Sequence, residues 1–427
     1  MSTRTLLQLT SLACMLTVAG CDEPDPARDD DDVQDERDRP APGRNPGTGS
    51  DDDDDDAAPR PGNGQPDAPA QSAQFFLPTG EPDNTSAPVL EVDGAGNTHA
   101  VYPAYAGGDA YYGFCSGGRC SGRDAVQMVH FTTDGTVGNV ALALTPSGQP
   151  RVLLATSLAV YFGSCDASCG VESSWRFGQI MTLSEQAVTG ETLALDPQGR
   201  PRFLVHGYRN PLYPFSPRHT DTMLARCDDA CDQAASWTTS KIAEKEIWEG
   251  STLRYDASGR AHVATFVYAY GESASQAVGA YLTCAAGCDT VGTWKGIGFL
   301  APYESSTEAV GMKPAITMAL TKAGAPRVAQ ILKTEEGKKR IAYFACDADC
   351  AGDNWTGTHI FEADAIHAGL DLALDAQDRP RLAHTMNYNV VLSHCDGVCT
   401  GENAKWDSTY VEKGSDIPAD TIFLEWN

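Results

Sequence analysis

The chain has 427 residues, a formal net charge of −27, and only 31 Lys and Arg against 58 Asp and Glu. Such a balance makes it a poor partner for nucleic acid, whose phosphates need basic side chains, and argues against docking on anionic lipid by charge alone. The length exceeds what one simple core organises, unless the chain is a repeat array or a ring.

The N-terminus reads Met1-Ser2-Thr3-Arg4-Thr5 and then runs mostly apolar through residues 6–19. One basic residue before a short apolar stretch is the pattern of an export signal. The stretch is too short for a comfortable membrane span. It ends Val18-Ala19-Gly20-Cys21, and small residues directly before a cysteine resemble the bacterial lipobox. That resemblance implies a signal peptide over residues 1–20, with Cys21 as the acylated N-terminus. It implies a membrane partner through an N-terminal lipid anchor and a place in the cell envelope, at the outer membrane or cell surface. Asp22, next in line, resembles an inner-membrane retention signal in some bacteria, under a rule that differs between lineages. The alternative is an ordinary cleaved signal with an incidental cysteine.

Residues 21–72 are rich in Asp, Pro and Gly, with Asp runs at 29–32 and 51–56 and almost no aromatic or branched apolar residues. Little apolar surface and strong self-repulsion predict an extended, disordered tether. A specific Ca²⁺ site needs oxygen ligands in a fixed loop geometry, which a flexible homopolymer lacks. We expect the folded domain over 73–427.

That domain is built on a phrase that recurs six times. The copies are Leu90-Glu-Val-Asp-Gly-Ala-Gly-Asn-Thr-His99, Leu142-Ala-Leu-Thr-Pro-Ser-Gly-Gln-Pro-Arg151 and Leu193-Ala-Leu-Asp-Pro-Gln-Gly-Arg-Pro-Arg202. Then come Leu253-Arg-Tyr-Asp-Ala-Ser-Gly-Arg-Ala-His262, Met318-Ala-Leu-Thr-Lys-Ala-Gly-Ala-Pro-Arg327 and Leu372-Ala-Leu-Asp-Ala-Gln-Asp-Arg-Pro-Arg381. Leu-x-Leu alternation suits a strand with one buried face. Asp-x-x-Gly supplies a turn, because Asp bonds backbone amides and Gly accepts positive φ. The apolar run after Arg or His begins a second strand. A cysteine pair then follows in each unit: Cys115/Cys120, Cys165/Cys169, Cys227/Cys231, Cys284/Cys288, Cys346/Cys350 and Cys395/Cys399. In five units a tryptophan comes five to seven residues later, as Trp175, Trp237, Trp294, Trp355 and Trp406; the first unit has Val126 nearby instead. This predicts a third strand ending at the first cysteine, a tight loop, and a fourth strand starting near the tryptophan.

Four strands per unit and six units predict an all-β fold, a six-bladed β-propeller of four-stranded blades. Seven blades or an open solenoid are the alternatives. Segments 74–77 (Gln-Phe-Phe-Leu) and 421–426 (Thr-Ile-Phe-Leu-Glu-Trp) are strand-like ends that would remove an exposed sheet edge by completing a blade. The repeat resembles those of secreted bacterial propellers reading Leu-Ala-Leu-Asp-x-x-Gly-x-Pro-His-Ile-Ala, then Tyr, then Trp, which look distantly like sialidase-type propellers. The resemblance covers residues 86–411. It implies a propeller and little about function, since such folds host many activities. The chain departs from it in carrying Arg151, Arg202, Arg327 and Arg381 where the family usually has His, and in adding a cysteine pair to each unit.

Cys14 lies in the signal, which leaves twelve cysteines in six local pairs besides Cys21. Cys-x-x-x-Cys is also a zinc spacing. Against zinc stand the oxidising compartment implied by export and the absence of histidines at matching positions. We expect six disulfides, no metal and no cofactor. Each closes a short loop and contributes about 1–3 kcal/mol.

A residue repeated in every blade is expected to do one structural job six times. The Arg/His position is therefore read as bonding turn carbonyls or a neighbouring blade's Asp. The tryptophans are read as covers for the disulfides and the blade cores. Function is expected where units differ, in the loops between second and third strands and between units, which share one face. The Asp-x-x-Gly turns and disulfide loops share the other. The strongest loop, 207–219, carries Tyr208, Arg209, Tyr213, Phe215, Arg218 and His219, aromatic planes with cationic donors that suit sugar or peptide. Its other reading is a Pro-stiffened loop packed on its neighbours. Tyr102, Tyr105, Tyr111, Tyr112, Trp248, Tyr268, Tyr270, Tyr303 and Glu304 are expected around the same face. No Ser/His/Asp order, paired-carboxylate spacing or phosphate loop points to catalysis, and His206 and His384 read as packing histidines. The expected function is an envelope protein that binds glycan or another envelope protein. The alternatives are a sialidase-like hydrolase and a purely structural scaffold.

Overall fold

A computed structural model describes residues 89–103, 109–118, 125–184, 186–207, 221–269, 277–303, 315–333, 338–363, 369–386 and 389–413. They form six antiparallel sheets, the six blades of a propeller.

Blade 1 consists of Val89–Val92, Thr98–Pro103, Asp109–Cys115 and Gln127–Thr132, and blade 2 of Val137–Leu144, Pro150–Thr156, Ala159–Cys165 and Trp175–Thr182. Blade 3 consists of Ala194–Leu195, Pro201–Gly207, Thr222–Cys227 and Trp237–Ala243, with Gln186–Ala187 added beside its second strand. Blade 4 runs Glu246–Tyr255, Ala261–Ala269, Ala277–Cys284 and Lys295–Tyr303. Blade 5 runs Ile316–Leu320, Pro326–Lys333, Lys339–Ala345 and Thr356–Ala363, and blade 6 Leu370–Leu374, Pro380–Met386, Asn389–His394 and Asp407–Lys413. Each repeated phrase forms the first two strands. Among the described residues every blade is complete in chain order, with no strand exchanged between blades 6 and 1. Segments 74–77 and 421–426 lie outside the described residues.

The turn between first and second strands is held by its leading side chain. Asp196 Oδ1 accepts from the amides of Gln198 and Arg200, both at 3.0 Å. Asp93, Asp256 and Asp375 do the same. In blades 2 and 5 a threonine replaces Asp, and Thr145 and Thr321 each accept one amide at 3.0 Å. The fourth turn residue takes positive φ, at Gly199 75° for example. In blade 6 Asp378 adopts it at 59°, a conformation Asp tolerates better than bulkier residues.

The Arg/His position joins this turn to the disulfide loop of its own blade. Arg202 Nη2 donates to Asp196 Oδ2 at 2.9 Å and to Asp228 Oδ1 at 2.7 Å, and Nη1 donates to the carbonyls of Pro201 and Cys227. Arg381 repeats the pattern with Asp375 and Asp396. Arg151 and Arg327, whose turns carry Thr, reach only Asp166 and Asp347 at 2.8 and 2.7 Å, besides backbone carbonyls. In blades 1 and 4 a histidine is bracketed differently. His99 Nδ1 lies 2.7 Å from the Tyr112 hydroxyl, and His262 Nδ1 lies 2.6 Å from that of Tyr281. Each Nε2 faces its turn Asp at 3.5 and 3.4 Å. The expectation of a neighbouring blade's Asp is thus corrected: the acceptor is intrablade, because the residue after the first cysteine comes back over the turn. These clamps also place turns and disulfide loops on one face. They fall into three kinds, shared by blades 1 and 4, 2 and 5, and 3 and 6, so the ring carries an internal period of three blades.

Five cysteine pairs are disulfides: Cys165–Cys169, Cys227–Cys231, Cys284–Cys288, Cys346–Cys350 and Cys395–Cys399, with Cα–Cα separations of 5.6 or 5.7 Å. Cys115 is also disulfide-bonded, and Cys120 lies outside the described residues. Each tryptophan indole N–H donates to the carbonyl of the second cysteine, from 2.7 Å at Trp237 to 3.0 Å at Trp294 and Trp406. Four of these rings then cross to the preceding blade, with Trp175 on Tyr112, Trp237 on Phe162, Trp355 on Tyr281 and Trp406 on Tyr343. Trp294 instead meets Trp248 of its own blade.

Candidate functional site

Two of the expected binding residues belong to the core. Tyr112 is 0% exposed, takes the His99 bond and packs on Trp175. Trp248 is 1% exposed, lies edge-on to Trp294, and its backbone N–H donates to Thr222 Oγ1 of blade 3. Both are corrected to scaffold: in a half-buried strand the inward position wins an aromatic ring for packing. Tyr102 is likewise buried, whereas Tyr111 stays partly exposed and stacks on His130. Tyr208, Arg209, Tyr213, Phe215, Arg218, His219 and Tyr270 lie outside the described residues, as do Cys21 and the side chain of Tyr303.

The described chemistry collects on the propeller axis. In the innermost strands, the residue after the repeated Leu or Met is Ala143, Ala194, Ala319 and Ala373 in blades 2, 3, 5 and 6. In blades 1 and 4 it is Glu91 and Arg254, three blades apart in the ring. A cavity of about 290 Å³ on the axis is lined by both of them, by Ala319 and Ala373, and by Glu191 and Asp371. A second space, about 320 Å³, continues past Glu91, Leu142, Arg254 and Tyr255 to the turn residues Asp93, Thr145 and Gly148. Glu91 and Arg254 therefore stand toward the turn face. The sequence signal for Glu91 and Arg254 is a double departure from Leu-Ala-Leu.

Glu191 is placed by the short segment that enters blade 3. Gly190 exchanges two 3.1 Å hydrogen bonds with Asn139 of blade 2. Its φ is +83°, and a Cβ there would lie 2.5 Å from the Ser251 carbonyl oxygen, so only glycine lets blade 4 approach so closely. Thr189 Oγ1 accepts the Gly250 amide at 2.9 Å and bonds His206 Nε2 at 2.8 Å. The Glu191 carbonyl accepts the Leu253 amide at 3.1 Å. Blades 2, 3 and 4 all hold this segment, which fixes the Glu191 backbone beside the axis.

Glu191 Oε2 lies 2.6 Å from Arg254 Nη2, while Arg254 Nη1 donates to the Leu253 carbonyl at 3.1 Å. Glu191 is 8% exposed, and its Oε1 is buried with no hydrogen-bond partner among the described residues. Thr192, just before the inner strand of blade 3, and Thr252 and Thr317, in the inner strands of blades 4 and 5, also have buried hydroxyls unpartnered among the described residues. Native interiors leave few such atoms. Burial pushes the Glu91 carboxyl up to about 7; the Arg254 charge opposes this and the Glu191 charge adds to it. Burial works against the Arg254 charge, but Glu191 and Glu91 outweigh it and hold the guanidinium more basic than usual. The cavity so offers fork-like donors beside buried acceptors, an arrangement for gripping a small polar group.

A scan against protein-family models finds no match, and a search of curated proteins finds none. Solved structures with a similar course exist. A protein from Lactobacillus plantarum is 12% identical, with a TM-score of 0.45 over 76% of this chain and 87% of that one. The polysaccharide lyase Uly1 is 11% identical, with a TM-score of 0.42 over 83% of this chain and 86% of that one. A protein from Dyadobacter fermentans is also 11% identical, at 0.42 over 77% and 94%. None of them bears on what this chain binds.

Proposed function

We propose that the chain is a lipid-anchored envelope protein that displays its propeller as a glycan-binding module. In this reading residues 1–20 are removed, Cys21 is acylated, and residues 21–72 space the propeller from the membrane. The observation that supports binding is the interruption of the alanine ring by Glu91 and Arg254, with Glu191 and Asp371 beside them in one axial cavity. Carboxylates accept from sugar hydroxyls, a guanidinium donates to them, and a cavity of about 290 Å³ suits a sugar unit better than a protein loop. The test is retention of purified full-length protein on immobilised envelope polysaccharide. Arg254→Ala abolishes retention if the axis binds, whereas unchanged retention removes the axis from the site. For the anchor, Cys21→Ala releases the protein from the membrane fraction and ends labelling by radioactive palmitate.

One observation favours a hydrolase as second reading. Burial raises the Glu91 carboxyl to about 7, and a carboxyl that keeps its proton near neutral pH is the pattern of a general acid. Reducing ends released from bound polysaccharide by the native protein, and not by Glu91→Gln, would establish it. Saturated binding without turnover rejects it.

A further inference from the structure

We infer that the joint between blades 6 and 1 is a docking surface for this chain's own C-terminal segment, residues 421–426, with Trp426 covering Leu392.

This joint differs from the other five. Buried apolar clusters join blades 1 and 2, 2 and 3, and 3 and 4, and a larger one runs through blades 4, 5 and 6. Among the described residues no such cluster joins blade 6 to blade 1. Two repeat positions show what is missing. Three residues before the first cysteine stand Tyr112, Phe162, Leu224, Tyr281 and Tyr343, all buried in those clusters. The sixth copy, Leu392, is partly exposed. The repeated Leu or Met of the innermost strand is buried as Leu142, Leu193, Leu253, Met318 and Leu372, and partly exposed as Leu90. Blade 1 carries Val126 where each other blade brings a tryptophan to its joint, and Val126 packs on Cys115 and Met128 of its own blade. Thr409, cross-strand from Leu392, is exposed.

The occupant follows from the tryptophans and from where the chain leaves blade 6. The chain has seven tryptophans. Five fill the repeat position, and Trp248 packs on Trp294. Trp426 is left, and one joint lacks its tryptophan. Residues 414–427 lie outside the described residues and continue from Lys413, the end of the outermost strand of blade 6. Leu392 is level with Thr409, about 13 Å back along that strand, while the chain from Lys413 to Trp426 extends to about 43 Å. The segment therefore has the length to turn and come back over Leu392. Drawn out as a strand, Ile422, Leu424 and Trp426 point to one side, the apolar surface that the joint lacks. Their burial takes Leu392 out of water, and the indole contributes the most area. Residues 74–77 fit less well. They lead into Val89 on the innermost strand of blade 1, whereas Leu392 lies on the third strand of blade 6, next to the strand that Lys413 ends.

The test is photo-cross-linking in the detergent-solubilised full chain, with p-benzoylphenylalanine in place of the exposed Thr409. Mass spectrometry is expected to find residues 421–426 joined to position 409 within one molecule. A cross-link to residues 74–77 or to a second copy overturns the assignment by naming another occupant. Capture of no segment at all overturns it outright. Fluorescence reads the side chain itself. The emission lost on Trp426→Phe is expected to be blue-shifted and shielded from acrylamide, unlike that of the free peptide 414–427. Leu424→Asp, which leaves the blades untouched, should abolish that shielding and lower the urea midpoint. Trp426 emission quenched as readily as in the peptide overturns the cover, and shielding unchanged by Leu424→Asp overturns the apolar contact.

Discussion

The Trp175 indole of blade 2 meets Tyr112 of blade 1 edge-on, with ring centroids 4.7 Å apart and planes at 62°. Its N–H donates to the Cys169 carbonyl at 2.8 Å. One side chain thus ties a disulfide loop to its own blade and that blade to the one before. Trp355 repeats this with Tyr281 at 5.0 Å and Cys350. Trp355→Ala is expected to cost about 3–5 kcal/mol through the cavity left at a blade boundary. Trp355→Phe keeps an edge contact and loses one hydrogen bond, about 1 kcal/mol. Urea unfolding midpoints at constant slope measure both.

The clamps should differ in value with the burial of their acceptor. Arg202 is paired with Asp196, whose side chain is 7% exposed, while Arg151 reaches Asp166, which is 45% exposed. Arg202→Ala leaves a buried carboxylate partly unpaired and costs about 3–5 kcal/mol. Arg151→Ala costs about 1–2 kcal/mol. Arg202→His alone should resemble the alanine variant. Adding Leu224→Tyr supplies the hydroxyl that Tyr281 gives His262, and unfolding midpoints of the pair should recover part of the loss.

Two groups shifted by desolvation, the buried His206 and the partly buried Glu91, give the pH profile opposite limbs. His206 Nδ1–H donates to the Gly207 carbonyl, and Nε2 accepts from Thr189, whose oxygen is already taken by the Gly250 amide. Burial lowers its pKa from 6.5 to about 4. Between those values the unfolded chain takes a proton that the native ring refuses, so stability falls as pH drops from about 6.5 to about 4. Glu91 is raised from 4.5 to about 7, so the native state keeps a proton that the unfolded chain has lost, and stability falls as pH rises through that window. Asp228 and Asp396, held low by hydrogen bonds from Arg202 and Arg381, add a loss below their ordinary 3.8. Urea midpoints at several pH values should lose the His206 limb in His206→Gln and the alkaline fall in Glu91→Gln. A profile unchanged by Glu91→Gln would contradict a desolvated axial carboxyl.

Each of the five described disulfides joins cysteines four apart in sequence. So short a loop constrains the unfolded chain little, and the pair Cys227→Ser, Cys231→Ser should lose about 2 kcal/mol. The tryptophan bond to the second cysteine runs through the backbone carbonyl and persists. Thermal melts should therefore show a shifted but still cooperative transition.

Much of the scaffold was legible because it is local and repeated. Alternation, turn chemistry and Cys–Trp spacing act within a few residues of one another, and six copies raise them above noise. The Arg/His partner was misplaced although its signal was present. Asp166, Asp228, Asp347 and Asp396 follow the first cysteine wherever Arg stands, while Ser116 and Ala285 follow it where His stands. That correlation runs between two phrases of one unit and shows only when the units are compared side by side. Tyr112 and Trp248 were misread because aromatic residues near loops suit a surface lip and a blade boundary equally well, and alternation alone does not say which neighbour covers a strand face.

By itself the sequence determined the blade: its strands, its turn, its disulfide loop and the side of the sheet on which the turn and loop meet. Those depend on hydrogen bonds and side-chain periods that each unit contains. Only the tertiary structure decided what stands on the axis. Glu91, Glu191, Arg254 and Asp371 come from four different blades and have no local relation. Closing the ring brings their strands around one buried space, where the cost of isolated charge makes each of them depend on the others.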